Sequence, residues 1–291
     1  MTKLHHELFA IGSCGPRPLD FPEGLDSAAH VFDDLPRGIY EALRTFQHNR
    51  FVGLEAHLSR AAGSMAHFGM SAPLEPSDLR SALHTIATNF PGADSKIRVD
   101  FLERPADSLG TDCRVIALAS ELHLPALAVY EHGVSCKLVD QLRRERPAIK
   151  TSQWVVDRRP AQGGTPDNFE SVLVGPEGHL LEGVMSNFFA VRDGEVLTAP
   201  ETGVLPGITR SIVLSLAARL GLRCREQSVH RGELGSVQEA FFSTSVRSIV
   251  PVVRIDATPL GAGEPGATTR QLMAAYQAYC ESEARPALPA S

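Results

Sequence analysis

The sequence predicts a mixed α/β fold in two domains, and three observations carry that reading. The chain has 291 residues, enough for two hydrophobic cores. Short strand-like runs are interspersed with amphipathic helices, without the regular strand–helix alternation of a doubly wound sheet. A stretch near the middle, LHLPAL at residues 122–127, reads as an interdomain connection. The expected division is an N-terminal domain over residues 1–121, a connection over 122–130 and a C-terminal domain over 131–291.

Taken in order, residues 5–12 form a first strand, and the Gly-, Pro- and Asp-rich segment up to Asp34 is loop. Residues 38–46, GIYEALRTF, form a strand, and polar Gln47-His48-Asn49 turns the chain into a second at 50–52. Residues 54–68 form a helix with Leu54, Leu58, Ala61, Met65 and Phe68 on one face, and Arg60 falls off that stripe. Ser77 caps a second helix reaching about Asn89, carrying Leu79, Leu83 and Ile86. Strands follow at 97–102, 114–119 and 134–139. After a basic group (Arg143, Arg144, Arg146) comes the run AIKTSQW, and residues 157–168 are loop. A hairpin over 171–181, with GPEG at its turn, ends on Glu182. A strand at 188–191 turns at Asp193-Gly194 into another. The next helix starts near Thr209, has Ile212, Leu216 and Leu220 at fourfold spacing, and stops at Gly221. Strands at 223–228 and 249–255, a helix at 268–283 and a disordered Pro/Ala tail complete the chain.

Composition narrows the function classes. The formal net charge is −6 with no long basic run, which argues against nucleic acid or an acidic membrane as partner. The five cysteines are scattered, with no CxxC or Cys/His spacing. They read as reduced thiols, and no metal site is expected. No long apolar segment marks a signal peptide or membrane span, so a cytoplasmic protein is expected.

The stretch LLEGVMSNFFAVRDGEVLTAPETGVLPGIT, residues 180–209, carries the chemistry. It holds one acid, Glu182, directly before Gly183. It ends with Gly207 at a helix start, where unbonded N–H groups and the helix dipole favour an anion. Upstream, Lys150 follows two apolar residues, a setting in which a lysine becomes a nucleophilic amine. Downstream, Ser243-Thr244-Ser245 offers three hydroxyls at a strand end. Each residue also has an ordinary reading. Arg60 and Lys150 suit solvent, Glu182 suits a solvated turn, Gly207 suits a helix start, and the hydroxyls suit a polar turn.

The ordered set GIYEALRTF…HLSR, AIKTSQW, LLEGVMSNFF and LPGITR resembles the class IV aminotransferase family, the fold-type IV enzymes using pyridoxal 5′-phosphate (PLP), over nearly the whole chain. That family includes branched-chain and D-amino-acid aminotransferases and aminodeoxychorismate lyases. The resemblance implies two domains with the cofactor at their interface, the C-terminal one carrying the cofactor lysine, and a homodimer. It implies that Lys150 holds PLP through its amine and moves the substrate proton, and that Glu182 keeps the pyridine nitrogen protonated. It places the phosphate on Arg60, on the amides of Ile208 and Thr209 after Gly207, and on the Thr244 and Ser245 hydroxyls. Leu205 packs on the cofactor ring.

The implied reaction is transamination between an amino acid and a 2-oxo acid. An aminodeoxychorismate lyase is the rival, and a non-catalytic metabolite-binding protein on the same fold a more distant one. The Arg-x-His carboxylate trap of D-amino-acid aminotransferases is absent: residues 103–108 read ERPADS. The substrate carboxylate is therefore expected near Tyr40, Arg44 and Arg98, or at backbone amides near Ser245 and Val246; the ordinary reading is that Arg98 and Arg44 pair with acids such as Asp100 or Glu41. Arg247 is unusual for the family and meets either a second substrate carboxylate or solvent. Trp154, also beside the substrate region, is expected to pack in the core.

Overall fold

The computed structural model describes residues 5–25 and 28–288. The first four residues and 289–291, the end of the expected Pro/Ala tail, lie outside the described residues.

The chain divides into two compact units. The first comprises Met1–His123, Ile149–Val156 and Cys280–Ser291, and the second Leu124–Ala148 and Asp157–Tyr279. The first unit ends close to the expected boundary. However, it also takes the segment that carries Lys150, which the sequence alone assigns to the C-terminal domain.

The first unit is built on one antiparallel sheet. Its strands are β1 (His6–Gly12), β2 (Gly15–Leu19), β3 (Gly38–Phe46), β4 (Arg50–Phe51), β5 (Ser95–Leu102) and β6 (Val115–Glu121). The closing strand Arg285–Pro286 is added to β4, giving the order closing strand–β4–β3–β5–β6–β1–β2. Two elements here differ from expectation. β2 is GPRPL, in a segment expected to be loop, and its prolines are tolerated because it lies at the sheet edge. The closing strand occupies part of the tail expected to be disordered.

Helices Leu54–His67 and Pro76–Asn89 pack on one face, with Ile39, Leu43, Ile97, Val99 and Phe101 beneath them. The second helix starts with Pro76 at its first turn and has no side-chain cap, so Ser77 is not the capping residue. The other face carries a smaller core with Leu8, Ala10, Phe32, Ile116 and Leu118.

β4 pairs with β3 only at Thr45 and Phe46, which leaves the Gly38 end of β3 with an open edge. Residues after Ile149 fill it. Tyr40 N–H donates to Lys150 O at 2.9 Å, Ser152 N–H donates to Gly38 O at 2.9 Å, and Ile39 bridges Thr151. Ile149 itself is buried in the first core. Edge pairing and this anchor explain why the lysine segment belongs to the first unit.

The second unit holds β7 (Val134–Val139), β8 (Ser171–Val174), β9 (Leu180–Gly183), β10 (Asn187–Arg192), β11 (Glu195–Thr198), β12 (Arg223–Glu226), β13 (Glu239–Thr244), β14 (Ser248–Ile255) and β15 (Thr258–Pro259). The strand order is β12–β11–β10–β13–β14–β7–β8–β9, with β15 beside β14. Asn187 also pairs with Glu182, which joins β9 back to β10 and closes six strands into a ring. The core is Val172, Leu180, Phe188, Phe242, Val250 and their neighbours. The expected hairpin is present: Asp193 and Gly194 both have positive φ, which fits the Asp-Gly pair at this turn.

Helix Ile208–Arg219 belongs to this unit, as does helix Ala267–Glu283 as far as Tyr279. The buried face of the first is Thr209, Arg210, Val213, Leu216 and Ala217. The expected stripe through Ile212 and Leu220 is rotated away, and Leu220 is exposed. No helix among the described residues is long and apolar enough to cross a membrane.

Candidate functional site

In the first unit the site residues gather around the open end of β3. Period-two alternation puts Tyr40, Ala42 and Arg44 on one sheet face and Ile39, Glu41 and Leu43 on the other. The register sets Tyr40 opposite Asp100 and Ala42 opposite Arg98. Lys150 Nζ lies 5.0 Å from the Tyr40 ring centroid, where the ring face attracts a cation.

Glu41 faces the helices and is buried. It accepts from Arg60 Nε at 2.9 Å, from Arg60 Nη2 at 2.6 Å and from His57 Nδ1 at 2.8 Å. Burial alone would push its carboxyl up, but the Arg60 charge and the His57 bond, with the Lys150 charge behind them, hold it well below the usual carboxylate range. Burial pushes His57 down, against its bond to Glu41. Arg60 is therefore not a solvent-facing arginine: its Nε–Nη2 edge is spent on Glu41, so a phosphate would not meet that edge. Sequence reasoning offers Glu41 only as a partner for Arg44 or Arg98, and passes over its pairing with Arg60 and His57. The signal is there, since an acid in the apolar phase of a buried strand requires partners, and His57 and Arg60 are three apart on a helix.

Arg98 is similarly engaged. Its Nε and Nη2 donate to Asp100 at 2.7 and 2.8 Å, and its guanidinium lies over the rings of Phe32 at 3.7 Å and Tyr40 at 4.8 Å. This corrects the expectation of a carboxylate-binding Arg98: its fork already holds a carboxylate of its own strand. Arg44 lies over Phe46 at 4.5 Å.

In the second unit the acid and the helix start form one hydrogen-bonded piece. Glu182 is buried at the closing pair of the ring. Its Oε1 accepts from Arg144 Nε at 2.9 Å and its Oε2 from Leu205 N–H at 3.1 Å. Burial pushes the Glu182 carboxyl up, and Arg144 and the Leu205 amide pull only part of the way back. Leu205 O accepts from Asn187 Nδ2 at 2.8 Å. A Cβ on Gly207 would collide with Asn187 Oδ1, and its φ of −73° needs no glycine. The glycine is thus required by Asn187 rather than by an approaching anion, as the sequence suggests.

Beyond Gly207 the first turn of a twelve-residue helix presents the N–H groups of Ile208 and Thr209. Thr209 Oγ1 lies 3.3 Å from Ser245 Oγ and 3.4 Å from Tyr276 Oη. Ser243 Oγ, two residues before Ser245, is buried without a hydrogen-bond partner. Thr244 Oγ1 is occupied locally, accepting from Arg247 N–H at 2.8 Å. This set of amides and hydroxyls at a positive helix end suits a phosphate, and a buried carboxylate in the same piece suits a protonated ring nitrogen.

Arg247 is half-buried rather than a solvent-facing substitution, and its guanidinium already has a carboxylate of this chain as partner. It is ion-paired to fully buried Glu170 and lies 5.0 Å from the Phe169 ring centroid. Trp154 is buried, as its packing role requires. Val246 lies between Ser245 and Arg247 on the turn joining β13 to β14. Arg144, Glu170, Asn187 and Tyr276 carry no local sequence signal, because each meets its partner across a long sequence separation. Among the described residues no group of three or more His, Cys, Asp or Glu is placed to hold a metal ion.

Comparisons to known proteins agree with the fold. Residues 38–255 match the family model described as Amino-transferase class IV. The chain is 28% identical over 268 residues to a D-alanine aminotransferase of Bacillus licheniformis, covering 89% of this chain and 92% of the relative. It is 28% identical over 251 residues to a probable branched-chain-amino-acid aminotransferase of Thermotoga maritima, covering 84% and 87%. The crystal structure of a putative branched-chain amino acid aminotransferase from Thermotoga maritima superposes with a TM-score of 0.76 at 25% identity, over 95% of this chain and 96% of that one. A second branched-chain amino acid aminotransferase, solved as a complex with N-(5′-phosphopyridoxyl)-L-glutamate, shares the fold at 20% identity and a TM-score of 0.78, over 97% and 98%. The chain belongs to the class IV amino-transferase family and is an aminotransferase.

Proposed function

We propose that the chain is a PLP-dependent transaminase that moves an amino group between an amino acid and a 2-oxo acid. The observation that carries the cofactor assignment is the continuity of the second-unit cluster. Hydrogen bonds join the Glu182 carboxylate to Leu205 and Leu205 to Asn187, whose side chain lies against Gly207 at the start of the helix that bears Thr209, itself 3.3 Å from the Ser245 hydroxyl. An acid for a ring nitrogen and a cradle for a phosphate are thereby fixed to the same scaffold. The solved structure of a branched-chain relative with a phosphopyridoxyl compound supports the same reading.

When bound, PLP supplies the electron sink that makes the substrate α-hydrogen acidic. The protein's residues do the rest. Lys150 Nζ would hold the cofactor, and the same amine would serve as general base for the substrate α-proton. Glu182 keeps a proton on the pyridine nitrogen, its carboxylate oriented by Arg144 and Leu205 N–H. Thr209, Ser245 and the amides of Ile208 and Thr209 hold the phosphate, with Arg60 as its cationic partner. The substrate carboxylate goes to the backbone of the Ser245–Val246 turn or to the Tyr40 face, rather than to the Arg98 fork. A homodimer, from the family resemblance, and a cytoplasmic location, from the scattered cysteines read as reduced thiols, complete the proposal.

The test is to load the purified chain with PLP, screen amino acids for conversion of the cofactor to its amine form, and follow transfer to 2-oxoglutarate or pyruvate. Pyruvate release from aminodeoxychorismate without amino transfer would replace the transaminase reading with the lyase one. Absence of any PLP uptake would refute both.

A further inference from the structure

Glu170 is fully buried and lies outside the acid and cradle described above. Its Oε1 accepts from Met185 N–H and from Ser186 Oγ, both at 2.7 Å. These two residues form the turn between Glu182 on β9 and Asn187 on β10. Gly183, in the same turn, has no room for a side chain, because Glu170 Oε1 and Ser186 Oγ occupy the space a Cβ would take. The other carboxylate oxygen, Oε2, accepts from Arg247 Nη2.

Arg247 lies on the opposite side of the cluster, on the turn joining β13 to β14. Its backbone is fixed twice more: its N–H donates to Thr244 Oγ1 at 2.8 Å, and its O accepts from Tyr130 Oη at 3.0 Å. The same turn carries Ser245, and Ser248 at its end has φ of 61°, a left-handed conformation that surrounding contacts must hold. One buried carboxylate therefore fastens both turns.

We infer that Glu170 and Arg247 are positioning residues that fix the Glu182 turn and the Ser245 turn at the separation a bound cofactor requires. The inference rests on the PLP reading above. Glu170 touches neither half of the cradle itself and acts through Met185 and Ser186 on one side and Arg247 on the other. Its ionised form also faces Glu182, whose proton affinity its charge raises, after burial and against Arg144. Arg247 is the countercharge that faces Glu170.

The experiment compares wild type with E170Q, R247M and the double variant E170Q/R247M. Each apoprotein is titrated with PLP across a pH series, and melting temperatures are recorded alongside. Each single variant is expected to weaken PLP binding by about tenfold or more, and the double variant to be no worse than the weaker single, because contacting partners are not additive. The acidic limb of PLP affinity should move to lower pH in E170Q, where a like charge near Glu182 is gone. It should move to higher pH in R247M, where Glu170 loses its countercharge. A purely structural role would lower melting temperature without moving the two limbs in opposite directions. Unchanged PLP affinity, additive losses in the double variant, or limbs that move together would each overturn the inference while leaving wild-type PLP binding, and so the proposed function, intact. A wild-type chain that takes up no PLP would overturn both.

Discussion

Glu41 offers the sharpest test of how the first unit is held together. Replacing it with Gln keeps its shape and removes its charge. The native carboxylate accepts three bonds, two from Arg60 and one from His57. A Gln side chain presents one acceptor oxygen and one NH2 group, so at least one of those donors is left facing another donor. Removing one partner of a buried ion pair costs about 3–5 kcal/mol. That is a large part of the roughly 5–15 kcal/mol that holds a typical fold together. At about 2–4 °C per kcal/mol for a chain of this size range, the melting temperature of Glu41→Gln should fall by about 6–20 °C. The pH dependence gives a second handle. A carboxyl whose folded pKa is depressed contributes its full stability above its unfolded pKa and loses it progressively as pH falls from there through the folded value. Glu41 is held well below the usual range because Arg60, His57 and Lys150 outweigh its burial. The gap between wild type and variant should therefore be full at neutral pH, narrow progressively below the ordinary carboxylate value near 4.3 and close only in stronger acid. Calorimetry over a pH series measures it. A gap smaller than about 1 kcal/mol, the size of a single neutral hydrogen bond, would refute the ion-pair account. So would a gap that closes already in weak acid.

Four further outcomes follow from the same geometry. Lys150→Ala should still bind PLP non-covalently but lose transamination by orders of magnitude, and borohydride should fix cofactor to Lys150 in wild type; fixation to another lysine would remove the assignment. Glu182→Gln should bind PLP while turnover drops strongly, and undiminished turnover would rule out the pyridine-nitrogen role. Arg60→Ala should weaken PLP binding more than Thr209→Val or Ser245→Ala, since a charge-assisted bond is worth about 1.5–3 kcal/mol against about 0.5–1.5 for a neutral one; equal losses in a PLP titration would contradict this. Arg98→Leu leaves Asp100 buried without its partner, so it should lower stability by the amount expected of a broken buried pair, about 3–5 kcal/mol, read as a fall in melting temperature. KM for donor and acceptor should stay unchanged, and a selective rise in KM would restore Arg98 as a substrate residue.

Much of the fold is legible in the sequence because its signals are local. The strand at Gly38–Phe46, the Asp193-Gly194 hairpin and the helix after Gly207 each follow from a short pattern of apolar spacing and turn residues. What is not legible depends on pairing between distant segments. The lysine segment joins the first unit because it fills an edge that β4 leaves open, a fact about register rather than composition. Gly207 reads as a cradle glycine in isolation, and only the fold brings Asn187 against it. For the same reason Arg98, Arg247 and Arg60 read as three anion-binding groups. Their counter-acids Asp100, Glu170 and Glu41 come from two to 77 residues away.

Those pairs point to which buried acid is left to meet a cofactor. Among the described residues four carboxylates are almost wholly buried and each faces an arginine: Glu41 with Arg60, Asp100 with Arg98, Glu170 with Arg247 and Glu182 with Arg144. A buried pair of this kind adds little net stability over apolar packing, so its geometry matters more than its energy. Glu41 and Glu170 each accept from three donors. Asp100 and Glu182 each accept from two, and in both, burial outweighs the partner and pushes the carboxyl up. Since an ionised carboxylate has about four acceptor positions, these two retain the most unused capacity. They differ in where the donors come from. Both bonds to Asp100 come from one guanidinium two residues away on its own strand, a closed arrangement. The bonds to Glu182 come from Arg144 and from the Leu205 amide, which lies three residues before the helix that presents Thr209. A further N–H donor would relieve Glu182 of part of its burial penalty. That is the physical reason to expect the pyridine nitrogen at Glu182 rather than at Asp100.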